Sequence, residues 1–331
     1  MDDWPELVDE PFVSTGTLPP EGRVEELVDH AHRRFGTDQE GSLSNVYPAL
    51  LEVDPDLFGI CVTAVDGRCY GVGDAEVPFT IMSVSKPFVF ALVCEARGVE
   101  ETRRAVGVNA TGLPFNSVDA LGLSDDARTN PMVNPGALAT TSLAPGKDAA
   151  ARWAFVLAGL QRFAGRGLSL DDEVFASASA MNQRNRLLAA KLAEHGRLAI
   201  DAAETVDIYT RQCSLSVTAV DLAVMGATLA DGGVNPLTRE VVVSPEVCRA
   251  TLAVMTTSGL YETSGDWLFD VGLPGKSGIG GGIVTVSPGK GALGTFAPLL
   301  DAAGNSVKGQ HVARFLSSRL GLDLFASEAA R

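Results

Sequence analysis

No apolar run in this 331-residue chain approaches the roughly 20 residues that a membrane-spanning helix needs, so no helical span is expected. The N-terminal stretch MDDWPELVDEPF is acidic and lacks the basic start and apolar segment of a secretory signal, which predicts a cytoplasmic protein. Basic charge is scarce: 26 Lys and Arg stand against 41 Asp and Glu, a formal net charge of −15. Nucleic acid and anionic membrane surfaces are recognised by clustered Lys and Arg, so neither is expected as a partner, and the charge serves solubility. Histidine is scarcer still. His30, His32, His195 and His311 form no H-E-x-x-H and no ligand-like cluster, so neither a metal centre nor a histidine-based triad is expected. The cysteines Cys61, Cys69, Cys94, Cys213 and Cys248 are odd in number, include no C-x-x-C and sit mostly in apolar surroundings; they are read as buried free thiols. Nucleotide-binding signatures are missing too. Gly275-Lys276-Ser277 has the ending of a P-loop, but Asp270 stands where the first glycine belongs. Gly71-Val72-Gly73 lacks the third glycine of a dinucleotide fingerprint, and no internal repeat is present.

What the chain does have is a globular balance, 46% hydrophobic and 20% charged. Residues 1–20 are proline-rich and aperiodic and read as an arm. Residues 21–35 have helical spacing at Val24, Leu27, Val28 and His32. Residues 58–65 read as a strand, Asp66-Gly67 as a hairpin turn and 68–72 as the returning strand. A helix over 83–97 ends at Gly98, with Pro87 tolerated in its first turns. Helices are predicted at 149–164, 184–195, 200–213, 217–229 and 245–255, strands at 267–271, 281–286 and 291–297, and a final helix at 309–320. Strands at both ends with a helical insert predict an α+β fold, an antiparallel sheet flanked by helices plus a helical lobe at about 100–260. The expected organisation is one two-lobed domain, 21–331, behind the arm.

Two motifs carry chemistry. Ser83-Val84-Ser85-Lys86 is an S-x-x-K tetrad, and Lys276-Ser277-Gly278 a distant K-S-G triad. This is the layout of serine hydrolases that activate their nucleophile with a lysine amine. Positions i and i+3 of a helix share a face, so Ser83 and Lys86 point into one pocket. A serine hydroxyl needs a base, and Lys86 serves as one if desolvation or a nearby cation, such as Lys276, lowers its pKa. Ser83 at the start of its helix also sits at the positive end of the dipole. A second tetrad, Ser287-Pro288-Gly289-Lys290, falls in a Gly/Pro-rich turn that no helix presents. The glycines from Gly278 to Gly282 are either a plain turn or a place where backbone is approached closely, and an N–H there would join that of Ser83 in an oxyanion hole. Asn130-Pro131-Met132-Val133-Asn134-Pro135-Gly136 reads as a loop whose asparagines either only turn the chain or bind a small polar ligand. β-Lactamases and penicillin-binding proteins also carry S-D-N between tetrad and triad, and this chain has none.

From about residue 41 to 311 the chain resembles the serine-dependent glutaminases, which share the β-lactamase-like fold. The resemblance runs through Tyr47-Pro48, the stretch Asp54-Pro55-Asp56-Leu57-Phe58-Gly59, Val65-Asp66-Gly67, Gly73-Asp74 and Val77-Pro78-Phe79 to the tetrad with Pro87. It continues through Asn130 to Asn134, Arg184-Asn185, Tyr209, Gln212-Cys213-Ser214 and Pro236-Leu237-Thr238. Tyr261, the run from Val271 to Gly278 and the run from Gly304 to Gly309 complete it. The resemblance implies hydrolysis of L-glutamine to L-glutamate and ammonia. It implies Ser83 as nucleophile, Lys86 as base, and Tyr209 and Tyr261 lining the site and assisting proton movement. Tyr47, Asn134 and Asn185 would bind the substrate, and the N–H groups of Ser83 and Ile279 would form the oxyanion hole. No metal or organic cofactor is implied; the partners expected are the small-molecule substrate and further copies of the chain, as a homodimer or homotetramer.

Two positions depart from the family pattern. Met82 replaces the Gln before the nucleophile, and Ala178 follows Ser177 where the family has a Glu that pairs with the substrate ammonium. Ser177, Ser179 and Asn182 are the neighbours left to substitute for it. Two other readings therefore stand beside glutaminase: a hydrolase of another small amide or ester, and a non-catalytic ligand-binding or assembly protein that kept the fold.

Overall fold

The computed structural model describes residues 16–122 and 127–327. Residues 1–15 of the expected arm lie outside the described residues, and 16–20 lead without regular structure into α1 (Glu21–Phe35). β1 (Gly59–Ala64) turns at Asp66-Gly67 into β2 (Cys69–Gly73), as the hairpin signal predicts. Three strands near the other end of the chain, β6 (Gly275–Ser277), β7 (Gly282–Ser287) and β8 (Gly291–Phe296), complete an antiparallel sheet in the order β2-β1-β8-β7-β6. β8 is the seam: Phe296 opposes Gly59 on one side and Gly282 on the other.

Period-two alternation sorts the two faces of this sheet. Ile60, Val62, Ile283 and Leu293 face α1 and the C-terminal helix α12 (Val307–Arg319), meeting Leu27, Val28, Val312 and Leu316. Val284, Val286, Ala292 and Phe296 face the other way, into a core shared with α9 (Ala219–Ala230). α9 is apolar almost all round and buried along its length. Its first turn is held by a capping box between Thr218 and Asp221, and Arg166 clamps Asp221 through bonds of 2.6 and 2.5 Å. The helix lies directly on the sheet backbone: a Cβ at Gly294 would meet the Ala219 carbonyl oxygen at 2.1 Å. Only glycine allows that approach.

The remaining helices are α2 (Ser85–Arg97), α3 (Val99–Ala105), α4 (Asn134–Ser142), α5 (Ala149–Ala164), α6 (Asp172–Ala180), α7 (Gln183–Glu194), α8 (Ala202–Cys213), α10 (Pro245–Ser258) and α11 (Ser264–Val271). A small sheet, β3 (Phe79–Thr80), β5 (Leu215–Val217) and β4 (Ser169–Leu170), joins the segment before Ser83 to the helices. Three expectations are corrected. Residues 267–271 are helical, not a strand: Trp267 and Val271 are buried while Phe269 between them is 92% exposed, the helical and not the alternating pattern. Asn134 opens helix α4, with Pro135 in the first turn where its missing N–H costs nothing. The cysteines are not uniformly buried, since Cys69 is exposed and Cys213 only half-buried.

Candidate active site

Ser83 lies in a single 3-10 turn, Met82–Val84, directly ahead of α2, so the helix begins two residues later than its sequence suggests. Met82 is held at φ 46°, in the left-handed region that side-chain-bearing residues avoid. Such backbone strain concentrates at functional turns. The Ser85 hydroxyl donates to the Met82 carbonyl oxygen at 2.8 Å and fixes the turn.

Lys86, the second residue of α2, is 2% exposed. Its Nζ donates to Asn134 Oδ1 at 2.7 Å and to the Met132 carbonyl oxygen at 3.4 Å. Burial lowers its pKa to about 7, so the free amine is available near neutrality. Lys276, fully buried on β6, donates to the carbonyl oxygens of Gly259 at 2.8 Å and Ser277 at 2.7 Å, with its ammonium 4.2 Å from the Tyr261 ring centroid. Its own pKa is pushed well down, by burial first and by Lys86 second. Of the two causes the sequence left open for Lys86, desolvation and a nearby cation, desolvation is the leading one, as it is at Lys276.

Tyr261 also sits in the left-handed region, at φ 58°, and its hydroxyl donates to the Ser277 carbonyl oxygen at 3.3 Å, close enough to Ser83 that the serine hydroxyl offsets part of the rise burial gives the phenol's pKa. Burial pushes its pKa up to about 12, so it stays a proton donor at neutral pH. Tyr209 OH donates to Asn134 Oδ1 at 3.2 Å, and burial holds this phenol protonated as well. Asn134 Nδ2 donates to Asn185 Oδ1 at 2.9 Å, Asn185 Nδ2 to Asn182 Oδ1 at 2.7 Å, and Asn182 Nδ2 to Thr210 Oγ1 at 2.7 Å. A continuous amide chain thus runs from the buried amine across the floor of the site.

The backbone donors are positioned by the glycine run. A Cβ at Gly278 would lie 3.2 Å from the Ser83 nitrogen and 3.0 Å from the Ile81 carbonyl oxygen, so what approaches this strand end closely is the turn carrying Ser83 itself. Neither the Ser83 nor the Ile279 N–H donates to another backbone carbonyl among the described residues. Both remain available to an oxyanion.

Several of these groups line one cleft, among them Tyr47, Ser83, Asn134, Asn185, Tyr209 and Ile279. Tyr261 stands behind Ser83, its ring 4.6 Å from that of Phe115. Tyr47 takes part through a half-buried phenol whose pKa burial raises to about 12. Of the site residues singled out in the sequence, Tyr47, Ser83, Asn134, Asn185, Tyr209 and Ile279 line the cleft, while Lys86 lies beneath it against Asn134 and Tyr261 against the Ser277 carbonyl oxygen. The structure adds Phe115, Asn116 and Cys213, which carried no separable signal. Phe115 and Asn116 lie on an irregular connection, and Cys213 looked like any buried thiol. The second S-x-x-K is a turn between β7 and β8, with Lys290 Nζ bonded to the Gly321 carbonyl oxygen. Among the described residues no group of His, Cys, Asp and Glu is arranged to hold a metal, and no helix is long and apolar enough to cross a membrane.

The Glutaminase family model matches residues 41–325. "Glutaminase 2" of Yersinia pestis is 63% identical over 96% of this chain and 93% of its own length. A solved structure described as probable glutaminase ybaS superposes with a TM-score of 0.91 at 40% identity, covering 93% of this chain and all of that one. Mglu in its glutamate form superposes with a TM-score of 0.88 at 38% identity over 92% of this chain and 71% of that one. The α+β fold, with its antiparallel sheet flanked by helices, is accordingly the β-lactamase-like one expected.

Proposed function

The chain belongs to the glutaminase family, amidohydrolases that convert L-glutamine to L-glutamate and ammonia, and from that membership we propose that Ser83 carries the reaction as an acyl-enzyme. The observation behind this reading is the turn itself: one residue supplies a hydroxyl beside Tyr261 and an N–H, unused by backbone carbonyls, pressed against Gly278. The Ser83 oxygen attacks the side-chain carbonyl carbon as its proton moves to the Lys86 amine. Tyr261 lies on the route but is a poor final acceptor, because Lys86 ionises near 7 and a phenol at about 12 holds its proton. The carbonyl electrons move onto oxygen, where the Ser83 and Ile279 N–H groups stabilise them. Collapse breaks the C–N bond, and the proton held on Lys86 leaves with the nitrogen as ammonia. Water then adds to the ester, giving a proton to Lys86, and the Ser83 Oγ–carbonyl bond breaks as Lys86 returns that proton to Ser83 Oγ, releasing glutamate. Amide and water become acid and ammonia, and the enzyme is restored.

Asn134, Asn185, Tyr47 and Tyr209 hold the substrate's polar groups in this scheme, with the amide chain keeping them oriented. The protein acts in the cytoplasm as a homodimer or homotetramer. Phe269 and Phe325, 92% and 65% exposed and lining one shallow depression, are apolar surface for such an assembly to cover. Sedimentation at micromolar concentration checks this, and a monomer would exclude it. For the chemistry, a rapid-quench mass measurement on L-glutamine is expected to find a glutamyl group on Ser83. Ammonia release undiminished in Ser83→Ala would sink the mechanism.

A further inference from the structure

No described residue that lines the cleft carries a carboxylate. Among the residues lining it only Arg184 carries a formal charge, and its Nε donates to the Asn116 carbonyl oxygen at 2.8 Å. Beneath the floor lie two buried lysines, so whatever charge the site acquires is positive. The groups around Ala178 do not make up for this. The Ser177 hydroxyl accepts from the Ala49 N–H at 3.3 Å, and both ends of the Asn182 amide are taken up by Asn185 and Thr210. Ser179 does not line the cleft. A ligand ammonium, in whatever orientation it enters, therefore leaves water without meeting a counter-charge, which is unfavourable by a wide margin.

The rim has a complementary property. Val46 and Met181 both line the cleft and are 44% and 50% exposed, apolar surface at the entrance that the fold leaves uncovered. Ala178, Met181, Asn182 and Asn185 follow one another at helical spacing across the junction of α6 and α7, so the apolar rim continues into the polar floor.

We propose that this site selects side-chain amides whose α-nitrogen is acylated, N-acyl-L-glutamines, over free L-glutamine. The inference rests on the amidohydrolase reading above and concerns only what lies beyond the scissile amide. An acylated α-nitrogen is uncharged, its acyl group covers Val46 and Met181, and the α-carboxylate is left to face Arg184. The reaction is otherwise unchanged: N-acylglutamine and water give N-acylglutamate and ammonia through the same ester on Ser83.

The test is steady-state ammonia release by the full chain from L-glutamine and from N-acetyl-L-glutamine, with Ser83→Ala as blank. The acetylated compound is expected to have the higher kcat/KM, by about ten-fold or more given the cost of an unpaired buried charge. Ala178→Glu is expected to reverse the preference through the KM for glutamine, while Ala178→Gln, equal in bulk and uncharged, keeps the wild-type order. Wild-type preference for free glutamine overturns the inference, whether or not the variants fold. So does an Ala178→Glu ratio equal to that of wild type in folded protein. Ser83-dependent ammonia from neither compound overturns the amidohydrolase reading and this inference with it, an outcome distinct from glutamine winning.

Discussion

A lysine amine shielded from water gives up its proton more readily than one in solvent, and Lys86 shows what that shielding supplies. With its pKa lowered to about 7 by burial, it is the group near Ser83 that switches between base and acid in the neutral range. The base must start unprotonated, so kcat/KM is expected to climb as pH rises through about 7 and then level off; a profile flat from pH 6 to 8 would rule Lys86 out as the base. Asn134 offers a sharper test because its Oδ1 takes the 2.7 Å bond from that amine. Asn134→Asp places an anion there, which favours the ammonium, and the rising limb is expected to move toward higher pH by about one unit or more. At this scale the sequence was readable wherever spacing is local. Ser83 and Lys86 lie three residues apart across the 3-10 turn that leads into α2, but Asn116 approaches Arg184 only because two distant segments cross.

Elements in this protein are placed as much by missing side chains as by present ones. α9 rests on β8 because Gly294 has no Cβ to strike the Ala219 carbonyl oxygen. Gly294→Ala is expected to destabilise the fold by about 1–3 kcal/mol, read as a lower urea midpoint. Gly22, in α1 with open space around its Cα, is the contrast: Gly22→Ala is expected to stabilise by roughly 0.5–1 kcal/mol. Most helices were legible from periodicity, and α1 and α5 match their expected bounds. α11 was not, because Trp267, Phe269 and Val271 alternate as a strand would; the fold buries the first and last and leaves Phe269 out. α3, α4 and α6 are short, and their formation depends on packing more than on their own pattern.

Across the whole molecule, the buried lysines link stability to pH. The Lys86 pKa falls from 10.5 to about 7 on folding, so between those values the unfolded chain binds the proton and the folded one does not. Stability therefore rises with pH across that window and is lowest below about 7. Cys94 and Cys248 act oppositely, since burial raises both thiols from 9.0 to about 12 and stability falls above pH 9. Between pH 7 and 9 the lysines act together with Cys69, whose thiol pKa is lowered from 9.0 to about 6 and whose contribution rises in the same direction. Unfolding free energy is expected to increase there by roughly 2 kcal/mol for Lys86 alone, and Lys86→Met is expected to lessen that rise. The sequence by itself determined the α+β class, the antiparallel sheet and the family, because local periodicity and ordered motifs carry that information in one dimension. Tertiary structure alone decided which groups the candidate site residues meet. Burial of Lys86, the approach of Gly278 to Ser83 and a cleft whose described lining has no carboxylate arise from distant segments packing together, and desolvation exists only once they have.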